Sequence, residues 1–290
     1  MKRRDFSKIV AAAGASALVP WRKLRAEPAA VGLSDPFLQP KFVNLVPDAL
    51  APGFKFDARN KNKAKFKVAV GPSVQQTGLV DAAGTPLNTP IWGYGYNNIG
   101  FTWPGRTFEV MSGEPIEVTW ENKLLDPVTG MPLAHLLPVD TSLHWAYSLM
   151  GYEANSIAAD GVPIVAHLHG GHTDFQYDGN PEFFFSPGFG VRGPQWVEKK
   201  YVYDNSQPAG TLWYHDHALG ITRLNVYAGM AGFYFVRDQY DTGDANNTLG
   251  LPAWPYEKAY AIQDRMFRVT GELFYPSLPG EPFYDDFITG

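Results

Sequence analysis

The chain has 290 residues, 45% hydrophobic and 14% aromatic, enough to bury one large core or two ordinary ones and too apolar for intrinsic disorder. It contains no cysteine, which excludes a disulfide framework, a thiolate metal site and a cysteine nucleophile. Its formal charge of −5 understates the acidity of the body: residues 1 to 26 carry seven basic groups against one acid, and without them the charge is −11, which disfavours nucleic acid and anionic lipid as partners.

In chain order, the first element is a basic head, Lys2, Arg3, Arg4 and Lys8, followed by an apolar run over 9–20 rich in alanine and glycine. A bilayer-crossing helix needs about 20 apolar residues, so a cleavable signal over 1–30 is expected rather than a membrane span. The paired arginines resemble a twin-arginine export signal, which implies export of an already folded protein to the periplasm or beyond. The rival reading is a basic terminus ahead of a buried helix.

Beyond it, 29 glycines and 24 prolines point to many turns between short strands. Ile116, Val118 and Trp120 alternate with polar residues, as a half-buried strand requires. Residues 107–111 are expected to pair with 116–120 through the turn at 112–115. Further strands are predicted at 66–70, 164–169, 199–203, 211–215 and 232–236, a long proline-punctuated loop at 123–163, and one short helix at 218–227. The class that follows is an all-β sandwich.

The chemistry lies in the histidines. All seven fall between His135 and His217, and four form two His-X-His pairs, His167 with His169 and His215 with His217. Random placement would give roughly 0.2 such pairs, so two call for a cause. On a strand, residues i and i+2 share one face, so neighbouring strands would bring four imidazoles together. Protonated, they would repel; neutral, they suit copper, zinc, iron or nickel. The plainer alternative is a hydrogen-bonded feature of core or surface at each pair.

The surrounding residues narrow the choice. His167-Leu168-His169-Gly170-Gly171, Asp178-Gly179-Asn180-Pro181-Glu182, Leu212-Trp213-Tyr214-His215-Asp216-His217 and residues 229–238 resemble the multicopper oxidases, nearest the bacterial laccase and bilirubin oxidase branch. The resemblance runs from about residue 35 onward and is densest over 163–238. It implies a cupredoxin-like (plastocyanin-like) Greek-key β-sandwich over 31–240, with a linker and the start of a second cupredoxin domain over 241–290. It also implies copper, with His167 as a ligand of the type 2 ion and His169, His215 and His217 as ligands of the type 3 pair. Asp178 is implied as an acid that assists proton supply during oxygen reduction.

Plainer readings stay open beside these. Gly170 and Gly171 could simply end a strand, and Asp178 sits in a Tyr-Asp-Gly turn signature. Asp216 could orient ligands from behind or be a solvated carboxylate. His135, His144 and His172 read as local structure, Trp213 and Tyr214 as core, and Arg223 and Arg237 as ordinary surface or helix-end charges.

The resemblance further implies that a complete protein oxidises a reducing substrate at a type 1 copper held by cysteine and two histidines, then passes four electrons to a trinuclear cluster where oxygen becomes water. This chain has no cysteine and no histidine after His217, so it lacks the type 1 site and the cluster ligands of a later domain. It supplies half the cluster and is expected to be inactive alone. Truncation is the simplest account, ahead of pairing with a second chain that carries the missing domains. Phe267, Phe274 and Phe283 are then expected to lack packing partners. Two other classes remain: a copper-free cupredoxin-like structural protein of the periplasm, and a non-redox metal-binding module.

Overall fold

The computed structural model describes residues 32–60, 64–96 and 98–275, so the signal expected at 1–30 and Phe283 lie outside the described residues. The strands are β1 (Lys55–Asp57), β2 (Lys65–Val80), β3 (Pro86–Tyr96), β4 (Gly100–Thr102), β5 (Gly105–Met111), β6 (Ile116–Asn122), β7 (Ala166–His169), β8 (Lys200–Tyr203), β9 (Gly210–Asp216), β10 (Ala231–Arg237), β11 (Met266–Phe267) and β12 (Leu273–Phe274). Two short helices accompany them, α1 (Ile157–Asp160) and α2 (Thr222–Ala228). Among the described residues, no helix is long and apolar enough to cross a membrane.

Two five-stranded sheets, ordered β1-β5-β10-β9-β7 and β4-β3-β2-β6-β8, carry the fold. From β4 to β9 the chain changes sheet at every connection, the arrangement of a cupredoxin-like sandwich. An aromatic core closes the two sheets: Trp120 of β6 lies 5.7 Å from Tyr214 of β9 between ring centroids, and Tyr203 of β8 lies 6.0 Å from Tyr234 of β10. In β6 the alternation read from sequence holds, with Ile116, Val118 and Trp120 buried and the residues between them part-exposed.

The hairpin of 107–111 with 116–120 does not form. β5 pairs in parallel with β1 and β10, whereas β6 pairs with β2 and β8 in the other sheet. The intervening turn is tied outward, Ser112 N–H donating to Arg237 O and Gly113 N–H to Asn205 O, so it carries the chain across the sandwich. Alternation reports which face is buried and leaves the neighbour undetermined. β3 was not legible either, because Pro86, Pro90, Gly93 and Gly95 punctuate a strand that the sheet nonetheless accommodates.

Residues 241–275 pack onto this body. Leu273 is buried with Ile91, Leu137 and Leu224, and Phe267 packs against the same cluster. Tyr227 Oη donates to Phe274 O at 2.7 Å, Thr89 Oγ1 to Gly271 O at 2.8 Å, and the Arg268 guanidinium lies over the Phe274 ring. Phe267 and Phe274 therefore have partners, contrary to the expectation from sequence, because the sandwich itself supplies the apolar and polar complement.

Candidate metal centre

β7 and β9 are antiparallel neighbours in a register that sets His167 opposite His215, Leu168 opposite Tyr214 and His169 opposite Trp213. Strand pleating does the rest: Leu168 and Tyr214 point into the core, while His167 and His169 beside the first and Trp213 and His215 beside the second point the other way together. His217 lies one residue past β9, its N–H donating to Val165 O at 2.9 Å and extending the ladder by one step. All four rings of the two pairs thus meet. His167 stacks on His217 at 4.7 Å, and His167 lies 5.5 Å from His169 and 5.4 Å from His215. One nitrogen from each of His167, His169 and His215 falls within 4.8 Å of the others, a spacing that could hold a metal ion.

The rings are held by backbone. His215 Nδ1 lies 2.6 Å from Asp216 O, His217 Nδ1 lies 3.0 Å from Gly179 O, and His167 Nδ1 meets Asp178 O. A carbonyl can only accept, so each Nδ1 carries the proton and each Nε2 presents a lone pair. His169 differs, with Nδ1 at 3.1 Å from His215 Nε2. Burial pushes the His215 imidazole down to about 4, against the bond from Asp216 O, and burial lowers His167 as well. These two are therefore neutral at neutral pH, the state a metal requires. Such a donor set, imidazole with backbone-fixed tautomers, suits copper.

Asp178 sits in the turn read from sequence and beside the cluster. It follows a 3-10 turn at Phe175–Tyr177, and its Oδ1 accepts from Thr173 Oγ1 at 2.8 Å while standing 3.7 Å from His167 Nδ1. Its side chain is 44% exposed, so it touches both water and the ring's surroundings. Gly179 makes this possible: with φ at +75° a Cβ there would sit 2.1 Å from Ala166 O, so only glycine lets the loop lie on β7. Gly170 ends β7 at φ +85°.

One of the two readings left open for Asp216 is excluded, and two further residues depart from expectation. Asp216 is no solvated carboxylate: it is fully buried, accepting from Val165 N–H at 3.0 Å, Ala218 N–H at 3.1 Å and Asn225 Nδ2 at 2.8 Å, and burial pushes its carboxyl up to about 7 against those donors. Trp213 is not core; it is partly exposed and stacks on His215 at 4.0 Å and on His169 at 5.1 Å. Arg237 is no surface charge but is buried against Glu109. His144 and His172 are exposed and stand apart from the cluster, bonded to Ser148 and to Ser206 and Gln207. Tyr214 is core, as expected. A depression of about 390 Å³ opens beside His215 and Trp213, lined also by Thr222, Val226 and Tyr227.

Comparison with known proteins adds the following. A family model described as multicopper oxidase matches residues 155–241, the stretch that holds both histidine pairs. The chain is 41% identical over 191 residues to a laccase of Bacillus stratosphericus, covering 66% of this chain and 32% of that protein. It is 36% identical over 244 residues to a laccase of Bacillus subtilis, covering 83% and 41%. It is 34% identical over 201 residues to multicopper oxidase LPR1 of Arabidopsis thaliana, covering 67% and 30%. The chain thus spans between about a third and two fifths of the length of these curated relatives. Among solved structures, the McoA multicopper oxidase of Aquifex aeolicus aligns with a TM-score of 0.46 at 19% identity, over 77% of this chain and 37% of that one.

Proposed function

We propose, on the premise that this chain belongs to the multicopper oxidase family, that it is the copper-binding N-terminal part of a laccase-like oxidase. The family works with copper, including a trinuclear cluster of type 2 and type 3 ions, and the site's donors suit that metal. In this reading His167 serves the type 2 ion, and His169, His215 and His217 serve the type 3 pair. Bound copper would supply the redox capacity for reducing oxygen to water with electrons from a reducing substrate. The chain's own part is to hold neutral imidazoles at fixed tautomers, and Asp178, half-exposed and bonded to Thr173, holds a carboxyl group beside His167 that can take a proton from water and pass it inward. The type 1 site and the remaining cluster ligands would come from sequence outside this chain. The basic head at 1–30 supports export by the twin-arginine route.

The observation that carries this reading is the meeting of neutral imidazoles from two adjacent strands. Its test is copper loading of the purified chain, washing with a chelator and metal analysis. Retained copper, with no oxygen consumption when phenols or cuprous ion are added, is the expected result. A chain that retains none fails the reading, and unaided oxygen turnover refutes the division of ligands.

A further inference from the structure

Behind the histidine pairs runs a second line of polar groups, with no side chain of its own at the metal face. His135 comes from the long 123–163 connection, and its Nε2 lies 3.0 Å from Asn225 Oδ1 on α2. Asn225 Nδ2 reaches Asp216 Oδ2 at 2.8 Å and Pro163 O at 3.1 Å. Asp216 then takes the amides of Val165 and Ala218, the first two residues before His167 and the second directly after His217. Asn225 and Asp216 are fully buried and His135 nearly so.

The polarity of this line is fixed. Pro163 O can only accept, so the Asn225 atom facing it is Nδ2, which also reaches Asp216, and Oδ1 is left for His135. His135 must then donate from Nε2, and its Nδ1 accepts the Leu137 N–H at 3.0 Å. Every group has a partner of the right kind, as a buried polar network requires. Trp92 packs edge-on to the imidazole at 4.5 Å, limiting its rotation.

We infer that His135 and Asn225 are positioning residues for the histidine cluster: through Asp216 they lock the backbone on either side of the two pairs, so that the rings keep one spacing with or without metal. This rests on the copper reading above for its consequence but not for its existence. Partners that orient metal ligands from behind are worth roughly 10- to 100-fold in metal affinity, and a group acting through one further bond should sit near the lower figure. A role in packing alone would instead lower stability everywhere and leave the site unchanged.

The experiment uses the full chain without metal first. In His135→Phe, which keeps a planar ring of similar size but cannot donate, amide exchange at Val165 and Ala218 should accelerate about tenfold relative to Phe235 and Tyr203. His135→Gln, whose amide can still donate to Asn225, should restore protection. Tyr147→Phe removes a comparable buried bond, from Tyr147 Oη to Gly161 O at 2.8 Å, and should leave both amides as they were. After copper loading, His135→Phe should retain about tenfold less metal and show an altered copper EPR spectrum, whereas Tyr147→Phe should match the unmodified chain. The unmodified chain gives an independent reading: ring ¹⁵N shifts of His135 must report the Nε2–H tautomer. An Nδ1–H tautomer, or unchanged exchange at Val165 and Ala218 in His135→Phe, overturns the inference. Should the unmodified chain take up no copper, the copper reading falls while the exchange data still decide the relay.

Discussion

At one end of the sheet β1-β5-β10-β9-β7 stand the four imidazoles of His167, His169, His215 and His217; at the other, Glu109 of β5 and Arg237 of β10 are buried against each other at 2.8 Å. Both ends bury titratable groups, but in opposite states. Around Glu109 the charges answer one another: Lys55 and Arg59 share its second oxygen, and Arg237 also meets Asp241 at 2.9 Å and Glu257 at 2.7 Å. Such a cluster is complete, and its work is to fasten β1, β5, β10 and the segment to Glu257 together. At the histidine end the Nδ1 protons of His167, His215 and His217 are committed to backbone carbonyls, His169 Nδ1 faces His215 Nε2, and one nitrogen from each of His167, His169 and His215 faces a common space. That arrangement is complete when something positive joins it. One end is a fastening and the other a candidate metal site, built on different strands of one sheet.

The sharpest way to break the contrast is His169→Ala with His215→Ala. Copper retention after a chelator wash should fall by about 100-fold or more, since two donors are removed and not merely misaligned, while urea denaturation of the metal-free chain shifts little. Arg237→Met should do the reverse. It leaves Glu109 with less compensation in a buried site, at a cost of about 3–5 kcal/mol by urea titration, and the folded fraction should retain copper as before. Acid acts on the histidine side through burial. Burial holds His135 down to about 4 from its usual 6.5, opposed by the Asn225 and Leu137 bonds. The unfolded chain therefore takes up protons first, and stability present above pH 6.5 is lost as pH falls toward 4, by about 3 kcal/mol for this one group. His215 adds to the loss in the same direction. His135→Phe should flatten that part of the profile in a pH series of denaturation curves. Smallest is Tyr234→Phe, which deletes the bond from Tyr234 Oη to Asn205 Oδ1 at 2.5 Å. About 1 kcal/mol is expected in the same titration, with no change at the metal face.

These differences also mark how far the sequence could be read. The two His-X-His pairs were legible because a spacing of two on a strand fixes a shared face, and the register of His167 with His215 supplied the one missing piece, adjacency. Strand positions at 66–70, 211–215 and 232–236 fell inside observed strands, and 199–203 missed by one residue at its start, for the same local reason. What stayed hidden depends on partners distant in the chain. Arg237 and Glu109 lie 128 residues apart, and His135 and Asn225 lie 90 apart, so neither burial nor bonding leaves a periodic trace. The placement of β5 and β6 in opposite sheets is hidden likewise, for the turn between them reads as a hairpin until its outward bonds are known.

The consecutive carbonyls of Asp178 and Gly179 grip one ring of each pair, His167 through the first and His217 through the second, and those two rings stack on each other. Two of the four imidazoles are thus geared to two consecutive peptide planes that meet at Gly179, rather than free to choose their own torsions. Shifting the backbone at Gly179 would disturb both rings at once, across the boundary between the strands that carry them. A side chain at position 179, colliding with Ala166 O, would be felt in two donors rather than one.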